Sequence, residues 1–391
     1  MPTMCDYPQS VEEYSDTSFS DLHNFSGGPG ALPQVVLQQA HEAIIKAPGT
    51  NISLLGVSHR SHWFQNVLDE AEFNIRTLLN VPSSYHILFL QGGGTMQFSM
   101  VPVNLLRGGN QCADYLTTGY WSKKALTEAR KEGTIHEAWN GESDGFRRLP
   151  EPGECRFSSG AAYLHYISNE TVEGLQFPYL PGLRGVRRVC DMSSDFLSKP
   201  FDISDYAVIY AHAQKNMGPA GVTIVIVHED VLQDAPQNIP SIMDYRLFAQ
   251  HRSNYNTPPV FAIYTMMLVT RWLQNDVGGL GNMSDINRRK AKTLYGAIDS
   301  SYGFYRGTAC HAHRSQMNAT FVLPTPDLTN LFLVSAEQAG FVGLTGHRSL
   351  GGIRASLYNG VTVQAVEDLV EFMDWFRLQH GTDDLAGVQN G

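Results

Sequence analysis

The middle of the chain alternates short apolar runs with longer runs of helical periodicity. Helices are expected at 96–106 and 122–132, each one short turn after a strand. Strands followed by helices indicate βα units around a mostly parallel sheet, so the predicted fold class is α/β. Ligands of such sheets bind beyond the carboxyl ends of the strands. We expect strands at 86–91, 113–118, 161–168, 186–192, 207–211 and 222–227.

The last third of the chain predicts a second, smaller α+β domain. A long helix is expected at 260–274, and Asp276-Val277-Gly278-Gly279 then marks a domain boundary. We therefore expect a large domain at 24–275 and a small one at 276–391, with the first residues of the large domain free to pack against the small one. The closing helix is amphipathic and is expected to stop at Gly381. Its apolar face carries Val366, Leu369, Val370, Met373 and Phe376.

Charge and cysteine usage narrow the class of protein. The net charge of −10 gives no electrostatic reason to expect nucleic acid or an anionic membrane as a partner. The five cysteines are scattered without a C-x-x-C pair, which favours free thiols in a cytoplasmic protein. No apolar run is long enough to span a bilayer. The acidic segment 1–23 lacks the features of a targeting peptide and is interpreted as a flexible arm.

Lys215 is the most informative residue of the chain. It lies in the run Tyr-Ala-His-Ala-Gln-Lys-Asn-Met-Gly-Pro-Ala-Gly (210–221), between two predicted strands. Burial lowers the pKa of a lysine, and the neutral amine is the form that makes a Schiff base with a carbonyl. A surface lysine at a strand end is the plain alternative. Asp191 ends another predicted strand, where a carboxylate can pair with a protonated pyridine nitrogen as in pyridoxal phosphate enzymes.

Two further turns follow predicted strands. Gln91-Gly92-Gly93-Gly94-Thr95 opens a helix, so its backbone amides can cradle a phosphate, although a tight structural turn explains the glycines equally well. Trp121 follows the next strand and could stack on a planar cofactor, although a lone tryptophan is more often a core residue.

The tripeptide His-Arg-Ser occurs at 59–61, 251–253, 313–315 and 347–349. Histidine and arginine together can clamp a phosphate or a carboxylate, although most arginines are solvated surface residues. The copy at 347–349 has Arg354 six residues after Arg348, across a glycine pair. His311-Ala312-His313 could suggest a metal pair, but no metal site is expected there.

Together these motifs resemble those of the phosphoserine aminotransferases, class-V members of the fold-type-I pyridoxal phosphate enzymes. The resemblance extends over residues 24–376 and implies a large domain with a mostly parallel sheet and a smaller α+β domain. The motifs that carry it are 24–30, 58–60, 91–98, 118–122, 168–171, 191–194, 213–216, 255–259, 346–348 and 354–356.

The resemblance implies a role for each site residue. Lys215 carries pyridoxal phosphate and shuttles a proton, while Asp191 pairs with the pyridine nitrogen. Trp121 stacks on the ring, and Thr171 bonds near the ring hydroxyl. The remaining expectations fall into three groups. The cofactor phosphate is held by Gly94, Thr95 and Gln214, with Asn256 and Thr257 of the partner subunit. The substrate α-carboxylate is bound by Arg354. The substrate phosphate or distal carboxylate is bound by His347 and Arg348, with His59 and Arg60 of the partner subunit.

The implied reaction is reversible amino transfer from L-glutamate to 3-phosphohydroxypyruvate. It gives O-phospho-L-serine and 2-oxoglutarate, in L-serine biosynthesis, by a homodimer with shared active sites. Some members of the family also act on 4-phosphohydroxy-L-threonine in pyridoxine biosynthesis. Two departures affect the anion sites: Gly27 stands where many relatives have serine, and Thr95 where many bacterial relatives have arginine.

Two other functions stay open. One is a class-V enzyme for an unphosphorylated amino acid, such as an alanine–glyoxylate-type aminotransferase or a cysteine desulfurase. Cys310 lacks the context of a desulfurase reactive loop, and an unphosphorylated substrate would leave the His-Arg pairs without a purpose. The other is a non-catalytic nucleotide-binding protein that uses only the glycine turn.

Overall fold

The computed structural model describes residues 22–381, so most of the predicted arm at 1–23 lies outside the described residues. A seven-stranded sheet forms the centre of the large domain. Its strands are β2 (Tyr85–Leu90), β3 (Ala113–Thr117), β4 (Ile135–Asn140), β5 (Leu164–Ile167), β8 (Arg188–Asp191), β9 (Val208–His212) and β10 (Thr223–His228). The seven other strands are β1 (His23–Asn24), β6 (Asn169–Glu170), β7 (Leu175–Gln176), β11 (Arg306–Gly307), β12 (Asn318–Val322), β13 (Phe341–Val342) and β14 (Ile353–Ser356).

The central sheet has the strand order β2-β10-β9-β8-β5-β3-β4. All neighbouring pairs are parallel except those of β10, which runs antiparallel to β2 and β9. The mostly parallel α/β sheet is thus confirmed, and its six predicted strands are all present. Strand β4 was not expected, because this edge strand is mostly half-exposed and its sequence, Ile-His-Glu-Ala-Trp-Asn, lacks an apolar run.

Helices cover both faces of the sheet and build the second unit. The helices predicted from periodicity are present at Gly93–Leu105, Tyr120–Ala129, Val260–Asn275 and Val363–His380, and the last of them ends immediately before Gly381. Within 22–381, no helix is long and apolar enough to cross a membrane. The helices are α1 (Gln34–Ile45), α2 (His62–Leu79), α3 (Gly93–Leu105), α4 (Tyr120–Ala129), α5 (Glu229–Asp234), α6 (Tyr245–Gln250), α7 (Val260–Asn275), α8 (Leu280–Asp299), α9 (Pro326–Gln338) and α10 (Val363–His380).

A separate apolar cluster fills the C-terminal unit, where β11, β12 and β14 form an antiparallel sheet. Phe321 of β12 packs there with Phe332 of α9 and Phe376 of α10. Phe25 belongs to this same cluster, and the preceding strand β1 pairs in parallel with β13. Burying such aromatic side chains is worth about 1.5–3 kcal/mol each, which anchors the start of the described chain on the C-terminal unit.

Candidate active site

A cavity of about 520 Å³ opens at the carboxyl ends of the parallel strands. The turns after β2, β3, β5, β8 and β9 all contribute to its wall, as expected for a sheet of this topology. The predicted residues that line it are Gly94, Thr95, Trp121, Thr171, Asp191, Gln214, Lys215, His347 and Arg354.

Lys215 lies in the turn after β9, and its side chain is buried in the cavity wall. Its Nζ donates a hydrogen bond of 2.7 Å to Thr171 Oγ1. Burial lowers the pKa of Lys215 to about 8, although the nearby carboxylate of Asp191 opposes the shift. Gly30 packs closely against this turn. A Cβ at residue 30 would lie 2.6 Å from the carbonyl oxygen of Lys215, so a side chain has no room there.

Asp191 is the last residue of β8 and is buried beside the cavity. Its Oδ1 accepts a hydrogen bond of 2.8 Å from the backbone amide of Ser193. Burial raises the pKa of Asp191, and the ammonium group of Lys215 acts in the opposite direction. Such a carboxylate is suited to a cationic nitrogen placed in the cavity, since that partner would offset its desolvation.

The glycine turn at residues 91–95 places the N-terminus of α3 at the cavity. Gly92 and Gly93 have φ angles of 93° and 65°, which glycine adopts without steric cost. A Cβ at Gly92 would lie 2.5 Å from the Cβ of Met96, so there is no room for a side chain at residue 92. The free amides at the start of α3 and the helix dipole together make this edge of the cavity suitable for an anion.

Trp121 is in the first turn of α4 and lines the cavity beside Lys215. The Lys215 Nζ is 5.6 Å from the centre of its ring. The ring of Phe98 packs against the indole, with the two ring centres 6.5 Å apart. The indole is therefore a partly packed wall of the cavity, suitable for stacking on a planar ligand.

Arg354 extends from β14 to the opposite wall of the cavity. Burial lowers the pKa of its guanidinium, and its Nε has no hydrogen-bond partner among the described residues. Gly27 makes room for it, since a Cβ at that position would lie 2.2 Å from Arg354 Nη2. A half-buried guanidinium with an unused donor is a site for a carboxylate.

Further cationic groups lie near the cavity mouth. His347 lines the cavity and packs on the ring of Tyr120, with the ring centres 4.7 Å apart. Burial lowers the pKa of His347, and the positive charges of Arg354, Arg348 and Lys124 lower it further. Arg348 is exposed and does not line the cavity; its guanidinium and the ammonium of Lys124 approach the Tyr120 hydroxyl.

Besides Arg348, four predicted residues do not line the cavity: His59, Arg60, Asn256 and Thr257. They lie in two loops that contact each other, because Asn254 Nδ2 donates a hydrogen bond of 3.0 Å to His59 O. Gln91 Nε2, next to the glycine turn, donates one of 2.6 Å to Thr257 O. All four therefore belong to one surface beside the cavity, and His59 and Asn256 are half-buried there.

Several cavity residues were missed by sequence reasoning. His212 lines the cavity, burial lowers its pKa to about 3, and its Nδ1 has no partner among the described residues. Asn169, Ser193 and Ser194 also line it. Each of them follows or ends a strand, so strand ends are the signal that could have found them.

The described residues contain no group of three potential metal ligands. Cys310 is absent from the cavity wall; its sulfur is 3.2 Å from His313 Nδ1 elsewhere on the molecule. The thiol therefore does not lie near Lys215, where a desulfurase would need it.

The sequence profile of the family described as Aminotransferase class-V matches residues 22–369. The chain belongs to this family. It is 46% identical to the phosphoserine aminotransferase of Herpetosiphon aurantiacus over 360 residues, which covers 92% of this chain and 99% of that one.

Two solved structures have the same fold. The phosphoserine aminotransferase of Bacillus circulans subsp. alkalophilus superposes with a TM-score of 0.90 at 44% identity, covering 93% of this chain and 100% of that one. The pyridoxal-phosphate-bound phosphoserine aminotransferase of Trichomonas vaginalis gives a TM-score of 0.86 at 36% identity, covering 90% and 99%. These likenesses extend over both the central sheet and the C-terminal unit.

Proposed function

We propose that the chain is a pyridoxal-phosphate-dependent phosphoserine transaminase. It transfers the amino group of L-glutamate to 3-phosphohydroxypyruvate, giving O-phospho-L-serine and 2-oxoglutarate, in L-serine biosynthesis. The relatives named above support the substrate pair. The observation that carries the chemistry is the buried Lys215 amine, which shares one cavity with Asp191 and the unpaired Arg354 guanidinium.

The residues of the cavity fit pyridoxal phosphate. The start of α3 has free backbone amides, and it follows a turn in which residue 92 has no room for a side chain. Gly94, Thr95 and Gln214 line the cavity as well. Asp191 would pair with the pyridine nitrogen, Trp121 would lie on the ring, and Thr171 would bond near the ring hydroxyl. When bound, the cofactor supplies an electron sink for the bond-breaking step at the substrate Cα.

Lys215 performs both the covalent and the proton-transfer work of the protein. Its neutral Nζ attaches the cofactor and, once released by the amino substrate, takes the proton from the substrate Cα. The pKa of about 8 keeps a usable fraction of the amine neutral near physiological pH. Thr171 holds the Nζ in place beforehand through its 2.7 Å hydrogen bond.

Anion-binding groups orient the substrate. Arg354 binds the α-carboxylate, because it is a half-buried cation of the cavity whose Nε has no hydrogen-bond partner among the described residues. His347 and Arg348, with His59 and Arg60 of the partner subunit, bind the substrate phosphate or the distal carboxylate of glutamate. One site thus serves both substrates in turn, and the two half-reactions give ping-pong kinetics.

This arrangement implies a homodimer. His59, Arg60, Asn256 and Thr257 form a surface outside their own cavity, and we assign them to the cavity of the partner subunit. We place the domain boundary between residues 275 and 276, and the protein in the cytoplasm.

Turnover of paired substrates tests the proposal. The parent protein should convert O-phospho-L-serine and 2-oxoglutarate, whereas Lys215→Ala should be inactive and Lys46→Ala, at an exposed lysine on the end of α1, should behave as the parent. Activity on L-serine with none on O-phospho-L-serine would instead favour a class-V enzyme for an unphosphorylated amino acid. A colourless protein indifferent to Lys215→Ala would favour nucleotide binding without catalysis.

A further inference from the structure

Two fully buried carboxylates lie behind the cavity at the start of α4. Glu170 Oε1 accepts hydrogen bonds from Thr118 Oγ1 at 3.0 Å and from the Ser122 amide at 3.2 Å. Glu173 Oε1 accepts one of 2.8 Å from the Tyr120 amide. The second oxygen, Oε2, of each carboxylate is buried and has no hydrogen-bond partner among the described residues.

Both carboxyl groups converge on Gly119. A Cβ at that residue would lie 2.4 Å from Glu173 Oε2 and 2.8 Å from the carboxyl carbon of Glu170. The two groups therefore occupy neighbouring positions at the N-terminus of α4. The helix dipole there stabilises a negative charge, but by far less than the cost of two buried charges of the same sign.

The charged groups around the pair do not neutralise it. Asp191, on β8, adds negative potential at Glu170, and the positive charge of Lys215 is shared with Asp191. Arg147 and Arg306 line a separate cavity together with Glu173, but neither forms an ion pair with it within residues 22–381. Two adjacent buried carboxylates without a paired cation cannot both be ionised.

We propose that Glu170 and Glu173 hold one proton between them beside Gly119 and that this pair positions Trp121 and Thr171 for the reaction at Lys215. Glu173 carries the proton, because only one donor stabilises its anion, whereas two donors stabilise that of Glu170. Burial, and then the charge of Glu170, raise the pKa of Glu173 well above its usual range.

The pair connects three parts of the site. The backbone amides of Tyr120 and Ser122 donate to the two carboxylates, and these two residues lie on either side of Trp121 in the first turn of α4. Thr171, the acceptor for Lys215 Nζ, lies between the two glutamates in the chain. Glu173 O also accepts a hydrogen bond of 2.9 Å from Thr320 Oγ1 on β12. Loss of the shared proton at alkaline pH would repel the two carboxylates and move the Trp121 turn away from Lys215.

Infrared spectroscopy of the whole protein tests the shared proton. The parent should show, at neutral pH, the carbonyl stretch of a buried protonated carboxylic acid, shifted in heavy water. Glu173→Gln keeps an acceptor for the Tyr120 amide and a donor for Glu170, so it should fold and lose this band. Glu142→Gln, at an exposed carboxylate paired with Lys123 of α4, should keep the band. Absence of the band from the parent overturns the proposal, whether or not Glu173→Gln folds.

The positioning role is tested by the pH dependence of the Trp121 signal. The part of the tryptophan fluorescence that Trp121→Phe removes should change at alkaline pH in the parent and in Glu142→Gln. In Glu173→Gln, or in Glu170→Gln if the first variant does not fold, only the change that accompanies titration of the neighbouring Lys215 near pH 8 should remain. The same alkaline change in these glutamine variants would show that the pair does not control Trp121.

Discussion

The amine of Lys215 donates a 2.7 Å hydrogen bond to the hydroxyl of Thr171. This contact is buried, and it holds the Nζ at the wall that Trp121 also forms. The lysine thus has a fixed position and a weakened hold on its proton before any ligand arrives, because burial lowers its pKa to about 8.

Attachment of the cofactor should follow the neutral fraction of Lys215. The cofactor-free protein should take up pyridoxal phosphate at a rate that rises about tenfold per pH unit below pH 8. Above that value the rate should level off, because the amine is already neutral. The rate is followed by the absorbance of the bound cofactor. A rate that continues to rise past pH 10 would show that the lysine has its ordinary pKa.

Gly27→Ser should weaken substrate binding more than cofactor binding. A side chain at residue 27 would overlap the guanidinium of Arg354, which would have to move. Since Arg354 is assigned to the α-carboxylate, the KM for O-phospho-L-serine and for L-glutamate should both rise by roughly tenfold, for a loss of about 1.4 kcal/mol. Gly56→Ser, at a site with open space around it, is the matched control. Unchanged KM values would show that Arg354 does not depend on the space at Gly27.

Arg348→Ala should weaken the binding of phosphorylated substrates far more than that of the cofactor. Removal of a charge-assisted hydrogen bond costs roughly 1.5–3 kcal/mol, so the KM for O-phospho-L-serine should rise about ten- to a hundredfold. Cofactor binding, measured by reconstitution, should be little changed, because Arg348 does not line the cavity wall. The exposed Arg288, which pairs with Asp285, supplies the control Arg288→Ala. Equal losses for cofactor and substrate would contradict the assigned role.

Lys290→Met should destabilise the fold. The fully buried Nζ of Lys290 donates hydrogen bonds of 2.8–2.9 Å to the carbonyl oxygens of Leu357, Tyr358 and Val361. Methionine fills the space but leaves these acceptors unpaired, at a cost on the order of 3 kcal/mol. Lys292→Met, at an exposed position on the same helix, should be nearly neutral. Thermal unfolding compares the two, and equal midpoints would refute the structural role of Lys290.

The sequence was sufficient to predict the sheet and the side chains at its edge. Lys215, Asp191 and Trp121 each follow an apolar strand, and parallel strands bring their carboxyl ends together. The edge strand β4 was not predicted, because it is only partly buried and its sequence is correspondingly polar.

Other features depend on contacts that no local pattern reveals. Gly27 and Arg354 are 327 positions apart in the chain, and only the folded structure shows that they approach each other. Glu170 belongs to a motif that the sequence did reveal, but its proximity to Glu173 depends on the short turn between β6 and β7. The roles proposed for His59 and Arg60 involve a second subunit, so one chain cannot display them.

Absorbance of the cofactor-loaded protein during titration tests the central claim most directly. O-phospho-L-serine should bleach the near-visible band of the cofactor, whereas L-serine at the same concentration should not. That result would establish both the Lys215-bound cofactor and the selectivity for a phosphate. A band whose absorbance is unchanged by O-phospho-L-serine, or no band after addition of pyridoxal phosphate, would contradict the proposed transaminase.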